Sequence, residues 1–249
     1  MLCVLSPAKT LDFDITSHSI KSEIIFKKEC LQLITTMKKQ SIEDISGLMK
    51  VSEKIATLNY QRYQKYSKNF EEPQAKTAIK VFKGDVYIGL DSQSLNNDDL
   101  IFSQSSIRIL SGLYGLIKPL DLIQAYRLEM GISLKHKETN NLYQFWGDKI
   151  TKAINNEESE YLINLASNEY FKSIKQKDLK AKLINIHFKD TKNGKLKVIS
   201  FFAKKARGMM ARYIVQEKIS DPSHLKDFIS GDYKFDSNLS SESDFVFTR

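Results

Sequence analysis

The chain has 249 residues, of which 38 are Lys or Arg and 30 are Asp or Glu, so its formal net charge at pH 7 is +8. A hydrophobic content of 41% with ten Gly and four Pro predicts a globular protein with a substantial core. The sequence has no apolar run of about 18 residues, no signal-peptide pattern and no lipidation motif, which argues against a membrane protein and predicts a cytoplasmic one.

The first half of the chain predicts one strand followed by several helices. A short apolar run ended by Pro7 is typical of a buried strand that feeds a loop. Ser41 followed by Asp44 is a helix-capping pattern. In chain order, the predicted elements are a strand over 2–6, a helix over 22–39, a helix that starts at Ser41, a helix that starts at Ser52, and a helix over 73–82 ended by Gly84.

The second half predicts mainly strands. Asn193-Gly194 lies between two apolar runs and is the strongest local signal for a hairpin. The predicted elements are strands and tight loops over 107–134, a helix over 142–154, a strand over 161–165, a hairpin of 183–188 with 196–202, a helix over 201–213, and two short strands within 231–247. Because we find no repeat and no long linker, we expect a single mixed α/β domain over residues 1–249, with a central sheet and flanking helices.

The positive charge is concentrated in one segment, Lys172–Lys218. Residues 1–171 carry 21 basic and 21 acidic side chains, whereas residues 172–197 carry nine and two, and residues 198–218 carry five and one. A segment with this local excess of cations predicts a surface that attracts an anionic partner.

The helix over 201–213 has a readable geometry within this segment. At about 100° per residue, one face carries four cations, which are Lys204, Lys205, Arg207 and Arg212. The opposite face is apolar, as in an ordinary amphipathic helix with a solvated basic side. Only six of the 38 basic residues are Arg. Arg207 and Arg212 lie on this helix. Their presence favours recognition of a phosphate or a carboxylate, because the forked guanidinium group matches two oxygens of either anion.

Other candidate binding residues lie in loops. Lys9 and Thr10 follow the first strand, where a loop can face a cleft and a Lys can hold an anion; the alternative is a surface lysine beside a turn. A Gly- and Pro-rich stretch holds Tyr114, Lys118, Arg127 and Glu129. Arg127 and Glu129 share a face of a strand, where they either reach one ligand or form an ordinary ion pair.

The helix over 142–154 adds two further candidates, Trp146 and Asp148. An aromatic ring beside a basic groove stacks on a base, although a lone Trp in an aromatic-rich string is more often a core residue. Cys3 and Cys30 have no metal-ligand spacing, and the four histidines, His18, His136, His187 and His224, are far apart. We therefore expect no metal site and no cofactor.

Several strings along the chain together resemble one protein family. They are Leu5-Ser-Pro-Ala-Lys-Thr-Leu-Asp12, Phe82-Lys-Gly-Asp-Val-Tyr87, Leu110-Ser-Gly-Leu-Tyr-Gly115 with Pro119-Leu-Asp121, Tyr126-Arg-Leu-Glu-Met-Gly131, Leu142-Tyr-Gln-Phe-Trp-Gly-Asp148, Asn164-Leu-Ala-Ser-Asn-Glu-Tyr170 and the string from Phe201 to Arg212. In this order they are similar to the YaaA family of bacterial peroxide stress proteins, over nearly the whole chain.

The resemblance implies a cytoplasmic protein that protects DNA by limiting free iron and the radical damage that iron drives. It also implies a slice-like α/β fold with a positively charged cleft, and a helix-hairpin-helix element that binds DNA. That element would lie at Ser41–Asn59, where Lys50 supplies a charge. The connection Met49–Ser52 lacks the glycines that allow close approach to phosphates, so two small packed helices are the alternative here.

Two functions follow as leading hypotheses, while a third, direct sequestration of iron, has no visible ligand set in the sequence. In the first, the protein binds the DNA backbone through its basic residues, without sequence specificity. In the second, it is an enzyme of unknown reaction whose cleft binds a small anionic substrate through Lys9, Lys118, Arg127, Glu129 and Lys204. No nucleophile with a neighbouring base can be identified from the sequence.

Overall fold

The computed structural model describes residues 1–15 and 19–249. The strands are β1 (Leu2–Leu5), β2 (Thr10–Leu11), β3 (Ala75–Thr77), β4 (Phe82–Lys83), β5 (Ile107–Ser111), β6 (Gly115–Ile117), β7 (Leu122–Gln124), β8 (Tyr161–Asn164), β9 (Lys182–Lys192), β10 (Lys195–Lys197), β11 (Lys234–Phe235) and β12 (Asp244–Thr248). The helices are α1 (Lys27–Met37), α2 (Ile42–Met49), α3 (Glu53–Lys65), α4 (Ala78–Val81), α5 (Asp85–Leu90), α6 (Asn97–Ser106), α7 (Leu142–Trp146), α8 (Lys149–Asn155), α9 (Asn168–Phe171) and α10 (Ser200–Gln216).

A mixed sheet organises the described residues. Its strand order is β11-β12-β9-β8-β1-β5-β6, with β10 paired to β9 outside this path. The five strands from β12 to β5 are parallel, while β6, β10 and β11 are antiparallel to their neighbours. Every residue of β1 and β5 is buried, as expected of central parallel strands that are covered on both faces. The fold is therefore a mixed α/β domain with flanking helices, as the sequence predicts.

The order of the strands creates a switch point between β1 and β8. The chain passes from β1 to β5 on one side, and later from β8 to β9 and β12 on the other. Because the two loops that leave β1 and β8 turn in opposite directions, a crevice opens at the carboxyl ends of these strands. Ligands of open α/β sheets bind at such a crevice.

Two glycines allow helices α5 and α10 to cross closely. A Cβ atom added to Gly208 of α10 would lie 1.8 Å from the carbonyl oxygen of Val86 in α5. A Cβ added to Gly89 of α5 would lie 2.1 Å from the carbonyl oxygen of Lys205. The two backbones are thus in direct contact, which fixes the position of α10 beside the switch point.

Most predicted elements are present, with shifted ends. The first strand is confirmed as β1, and the Asn-Gly hairpin is confirmed with φ of 53° at Asn193 and 70° at Gly194, as a type I′ turn requires. The helix predicted over 22–39 begins only at Lys27, because Ser22 forms backbone hydrogen bonds with Leu120 and Leu122. The helix predicted over 142–154 is divided into α7 and α8 at Gly147, whose φ is 54°.

Two predictions are wrong and one region went unpredicted. The segment 73–82 is not one helix, because Ala75–Thr77 pairs with β7 as a strand and only a single helical turn follows it. Gly84 precedes α5 instead of ending a helix. The strand predicted over 196–202 ends at Lys197, because α10 begins at Ser200. Helices α5 and α6 were not expected from the sequence.

Candidate functional site

A cavity of about 380 Å³ lies beyond the carboxyl ends of β1 and β8, at the switch point. Its walls come from the loop after β1, the turn into α5, the segment after β8, and one side of α10. We call it the Arg207 cavity. Its lining residues are Ser6, Pro7, Ala8, Lys9, Thr10, Lys83, Gly84, Asp85, Val86, Tyr87, Ser167, Glu169, Tyr170, Lys204 and Arg207.

Short polar contacts hold the walls of this cavity together. The backbone N–H of Ser167 donates to the hydroxyl of Ser6 over 2.9 Å, which joins the loop after β1 to the segment after β8. The hydroxyl of Tyr87 donates to the carbonyl of Ser6 over 3.1 Å. Burial raises the pKa of Tyr87 well above its usual value, so the phenol stays protonated and remains a donor. The strand ends and α5 are therefore held in one geometry.

Cations outnumber anions on the walls. The basic lining residues are Lys9, Lys83, Lys204 and Arg207, and the acidic ones are Asp85 and Glu169. The Nζ atom of Lys83 lies 3.3 Å from the Oδ2 atom of Asp12, and the Nζ atom of Lys9 lies 3.4 Å from the Oε1 atom of Glu129. The carboxylate of Glu169 accepts a hydrogen bond from the backbone N–H of Gly131. Lys204 is exposed at the rim.

Arg207 differs from the other five arginines of the chain. It is partly buried, and desolvation alone lowers the pKa of its guanidinium. Within residues 1–15 and 19–249, no protein group accepts a hydrogen bond from it or forms an ion pair with it. The others all have polar partners: Arg62 with Asn59, Arg108 with Glu157, Arg127 with Glu129, Arg212 with Asp91, and Arg249 with Asp190. Burying a cation without a partner is costly, so this position favours contact with an anion.

Glu129 has one satisfied and one unsatisfied oxygen. Its Oε1 atom accepts from Arg127, with the nearest contact at 2.9 Å, and lies 3.4 Å from the Nζ atom of Lys9. Its Oε2 atom is buried and, among the described residues, has no hydrogen-bond partner. Glu129 lines a small recess that shares Pro7, Ala8, Lys9 and Tyr170 with the Arg207 cavity. This acceptor is therefore closed off from solvent.

Of the predicted site residues, Lys9, Thr10, Lys204 and Arg207 line the cavity, and Arg127 with Glu129 lines the recess. The other cations predicted to bind an anion lie elsewhere. Arg212 donates to the carbonyls of Leu90 and Asp91 at the end of α5, and Lys205 lies in a separate depression beside Tyr233.

Lys118 and Lys50 also lie outside the cavity. The Nζ atom of Lys118 is 3.7 Å from the Oε1 atom of Glu157. The carboxylate of Glu157 also accepts two hydrogen bonds from the buried Arg108. Lys50 is exposed and ends α2 in the left-handed conformation, with a φ of 51°. The connection Lys50–Ser52 joins α2 to α3, so the two helices expected between Ser41 and Asn59 are present.

The aromatic and polar candidates Tyr114, Trp146 and Asp148 are not at the cavity. Trp146 is fully buried in the core, where its Nε1 atom donates to the carbonyl of Gly112 over 2.9 Å. Tyr114 is also fully buried, and its hydroxyl donates to the carbonyl of Gln124. Asp148 forms an exposed i,i+4 ion pair with Lys152. These three residues therefore lie away from the Arg207 cavity.

Several lining residues were missed from the sequence, among them Ser6, Lys83, Tyr87, Ser167 and Tyr170. Ser6 and Ser167 each follow a buried parallel strand, and this position was the available signal. Lys83 and Tyr87 carry no such signal, because they reach the cavity only through the antiparallel pair β2–β4 and the crossing of α5 with α10.

In the described part of the chain, no three His, Cys, Asp or Glu side chains come together as a metal-binding group. His18 lies outside the described residues. No described helix combines the length and the apolar character that crossing a bilayer requires.

Comparison with known proteins gives matches over the full length. A family model described as "Peroxide stress protein YaaA" matches residues 1–239. A UPF0246 protein of Marinomonas sp. (strain MWYL1) is 52% identical over 252 residues, which cover 100% of this chain and 97% of the relative. UPF0246 proteins of Aliivibrio fischeri (strain MJ11) and Colwellia psychrerythraea are each 50% identical over 254 residues, covering 100% of this chain and 98% and 99% of the relatives.

Proposed function

Because the chain belongs to the YaaA family of peroxide stress proteins, we propose that it protects DNA from iron-driven oxidative damage and binds the DNA backbone without sequence specificity. The binding surface would be a basic cleft formed by the Arg207 cavity and the β9–β10 hairpin. The observation that carries this proposal is the concentration of cations at one edge of the sheet. We place the protein in the cytoplasm, where DNA and free iron meet.

The hairpin supports this proposal through its position and exposure. Strand β9 runs parallel to β8 and extends beyond it, so the hairpin projects from the same carboxyl edge at which the cavity lies. Residues 191–198 are all exposed, and they include Lys192, Lys195 and Lys197 but no Asp or Glu. Lys197 lies opposite the buried Asp190 of β9. Exposed lysines attract phosphates over a long range but carry no information about base sequence.

The α2–α3 pair is a second surface that we propose for contact with DNA. Its connection exposes Lys50, which itself adopts the left-handed conformation that normally favours glycine. We expect Lys50 to contribute one charge contact to a phosphate, less than the hairpin does.

The DNA proposal is tested by the salt dependence of binding to a labelled duplex, measured by fluorescence anisotropy. Each phosphate contact contributes a slope of about −0.9 in log K against log salt. The triple variant K192Q/K195Q/K197Q should lower the magnitude of this slope by about 2 to 3. A matched variant, K21Q/K152Q/K182Q, removes three lysines that are already in surface ion pairs, and should change the slope little. Absence of binding at low salt, or equal effects of both triples, would contradict the proposal.

Protection in the cell needs a separate measurement. Cells that carry the wild-type protein should survive hydrogen peroxide better and contain less free iron than cells without it, as measured by electron paramagnetic resonance of chelated iron. If survival depends on the protein but the variant K192Q/K195Q/K197Q protects cells as well as the wild type does, DNA binding is not the basis of protection.

A second candidate function is an enzyme that acts on a small anionic substrate in the same cavity. The observation in its favour is that, within residues 1–15 and 19–249, neither Arg207 nor the Oε2 atom of Glu129 has a protein partner, and both lie near a concave surface at the switch point. Such partially desolvated groups are typical of binding sites for small ligands.

A further inference from the structure

Large apolar side chains are exposed beside the first turn of α10. Phe201 and Phe202 are 56% and 40% exposed, and Ile229 is 72% exposed. Both phenylalanines line the depression beside Tyr233, together with Gly231, which follows Ile229 by two residues. The three apolar side chains therefore belong to one surface, which we call the Phe201 surface. A group of large apolar side chains at this exposure marks an interaction site.

Pairing in the β9–β10 hairpin shows the direction in which its lysines point. Lys197 is opposite Asp190, and Lys195 is opposite Lys192. Residues opposite each other in an antiparallel pair lie on the same face, and residues two apart along a strand share a face as well. All three lysines therefore lie on the face of the hairpin that carries Asp190.

Asp190 places that face beside the Phe201 surface. Its carboxylate accepts a hydrogen bond from the hydroxyl of Tyr233 over 3.0 Å and forms an ion pair with Arg249. The guanidinium of Arg249 in turn lies 4.6 Å from the centre of the Phe202 ring. Because Arg249 balances the charge of Asp190, the lysines are left without a carboxylate. At this end of the Phe201 surface, the lysines that form no ion pair with a described residue are Lys192, Lys195, Lys197 and Lys205.

Carboxylates occupy the other end of the Phe201 surface. Tyr213 is eleven residues beyond Phe202 on α10, so it lies on the same side of the helix and about 16 Å further along the axis. Desolvation raises the pKa of the Tyr213 phenol, and the nearby carboxylates of Asp227 and Glu217 raise it further. Both carboxylates are exposed, and neither forms an ion pair within residues 1–15 and 19–249.

Opposite charges at the two ends of one apolar surface make that surface complementary to itself. When two copies meet about a two-fold axis through the apolar centre, the lysines of each copy face the carboxylates of the other. An acidic peptide or an anionic bilayer matches only the basic end and meets like charge at the acidic end. The arrangement of charges therefore favours a second copy of this chain over either of these partners.

We infer that the Phe201 surface is the interface of a homodimer, with Phe201, Phe202 and Ile229 at its centre. The hairpin lysines of each copy pair with Glu217 and Asp227 of the other. This goes beyond the proposed function. The dimer would cover the lysines that the DNA proposal uses, so a second copy and a duplex compete for them, and the dimer is tested without DNA.

Sedimentation equilibrium of the full chain at about 50 mM salt tests the dimer, because exposed charges are weakly screened there. The wild type should approach twice the mass of one chain by about 100 µM. K192E/K195E/K197E leaves acidic charge at both ends, and E217K/D227K leaves basic charge at both ends. Each variant alone should dimerise at least about tenfold more weakly than the wild type, because like charges then meet.

An equimolar mixture of the two variants gives the decisive result. Each end of one variant faces an end of opposite charge on the other, so the mixture should regain a dimer that neither variant forms alone. All five substituted residues are exposed, and circular dichroism checks that both variants are folded. I229S should also weaken the dimer, because it removes an apolar side chain from the centre.

The matched control is K175E/K177E/K180E, which reverses three exposed lysines that precede β9. They lie at the opposite end of this strand from the hairpin, about 33 Å away. The control should dimerise as the wild type does. The inference is overturned if the wild type stays monomeric up to about 500 µM, if mixing the two variants restores no dimer, or if the control is weakened as much as K192E/K195E/K197E. A monomeric wild type that binds vesicles of anionic lipid would assign the surface to a membrane instead and would also overturn it.

Discussion

Replacing Gly208 by alanine tests whether the contact between α5 and α10 positions Arg207. The new Cβ atom would lie 1.8 Å from the carbonyl oxygen of Val86 and 2.8 Å from the amide nitrogen of Leu90. Ordinary contact begins at 3.4 Å, so α10 must move away by about 1.6 Å, the difference between 3.4 and 1.8. Both atoms belong to the backbone of α5 and cannot rotate aside. The displacement therefore has to be taken up by the whole helix.

The expected cost is near the upper end of the range for overpacking, about 3 kcal/mol. Alanine also favours the helix over glycine by up to about 1 kcal/mol, so the net loss of unfolding free energy should be about 2 kcal/mol. A shift of α10 would also move Arg207, and a displacement of about 1 Å at a binding site weakens binding substantially. We therefore expect G208A to bind a small anion at Arg207, probed with inorganic phosphate, at least about tenfold more weakly than the wild type.

The stability assay is urea unfolding followed by circular dichroism. The control is G47A in α2, where nothing lies within 4 Å of the added Cβ atom. G47A should stabilise the protein by about 0.5–1 kcal/mol, because only the helix propensity changes. If G208A unfolds at the same urea concentration and with the same slope as the wild type, the close helix crossing does not exist and the assigned position of Arg207 is wrong.

Two further changes test buried charges. Burial raises the pKa of Asp121 from 3.8 to about 6, more than its hydrogen bonds from Ser22 and Lys118 lower it. The contribution of the protonated Asp121 to stability is complete below pH 3.8 and is lost as the pH rises to about 6. Urea unfolding at several pH values should therefore show the unfolding free energy of the wild type falling by about 3 kcal/mol relative to that of D121N. Parallel curves of unfolding free energy against pH would contradict this. E157Q removes the carboxylate that accepts two hydrogen bonds from the buried Arg108 and should lower the unfolding free energy by about 3 kcal/mol. The control E160Q changes an exposed ion pair and should lower it by less than about 1 kcal/mol. Equal urea midpoints for the two variants would refute the buried ion pair between Arg108 and Glu157.

The elements that the sequence predicts correctly are those determined by nearby residues. The Asn193-Gly194 turn needs positive φ at two positions, and these two residue types tolerate it. The cap of α2 needs only Ser41 and Asp44. Nearby residues do not determine the strand at 75–77. It forms because it pairs with Gln124 and its neighbours, about fifty residues away. Pairing at this distance is not visible in a local pattern.

The helical projection predicts which way each side chain of α10 points, but not which residues surround that side chain. Four cations within one arc suggested a single basic face. Because α10 packs against α5, they are divided among three surroundings: Lys204 and Arg207 at the cavity, Lys205 beside Tyr233, and Arg212 at the end of α5. The four would act together only if that face were open to solvent along its full length.

The hairpin and the cavity should respond differently to salt, and this separates their roles. The hairpin lysines are exposed, and exposed charges are screened beyond about 8 Å at physiological ionic strength. Arg207 is partly buried, so an anion that contacts it directly is screened much less. The hairpin therefore suits the first approach of a polyanion, and the cavity suits the retention of a small one. A sheet edge that combines both can serve either proposed function, and affinity measured at high salt reports on the cavity.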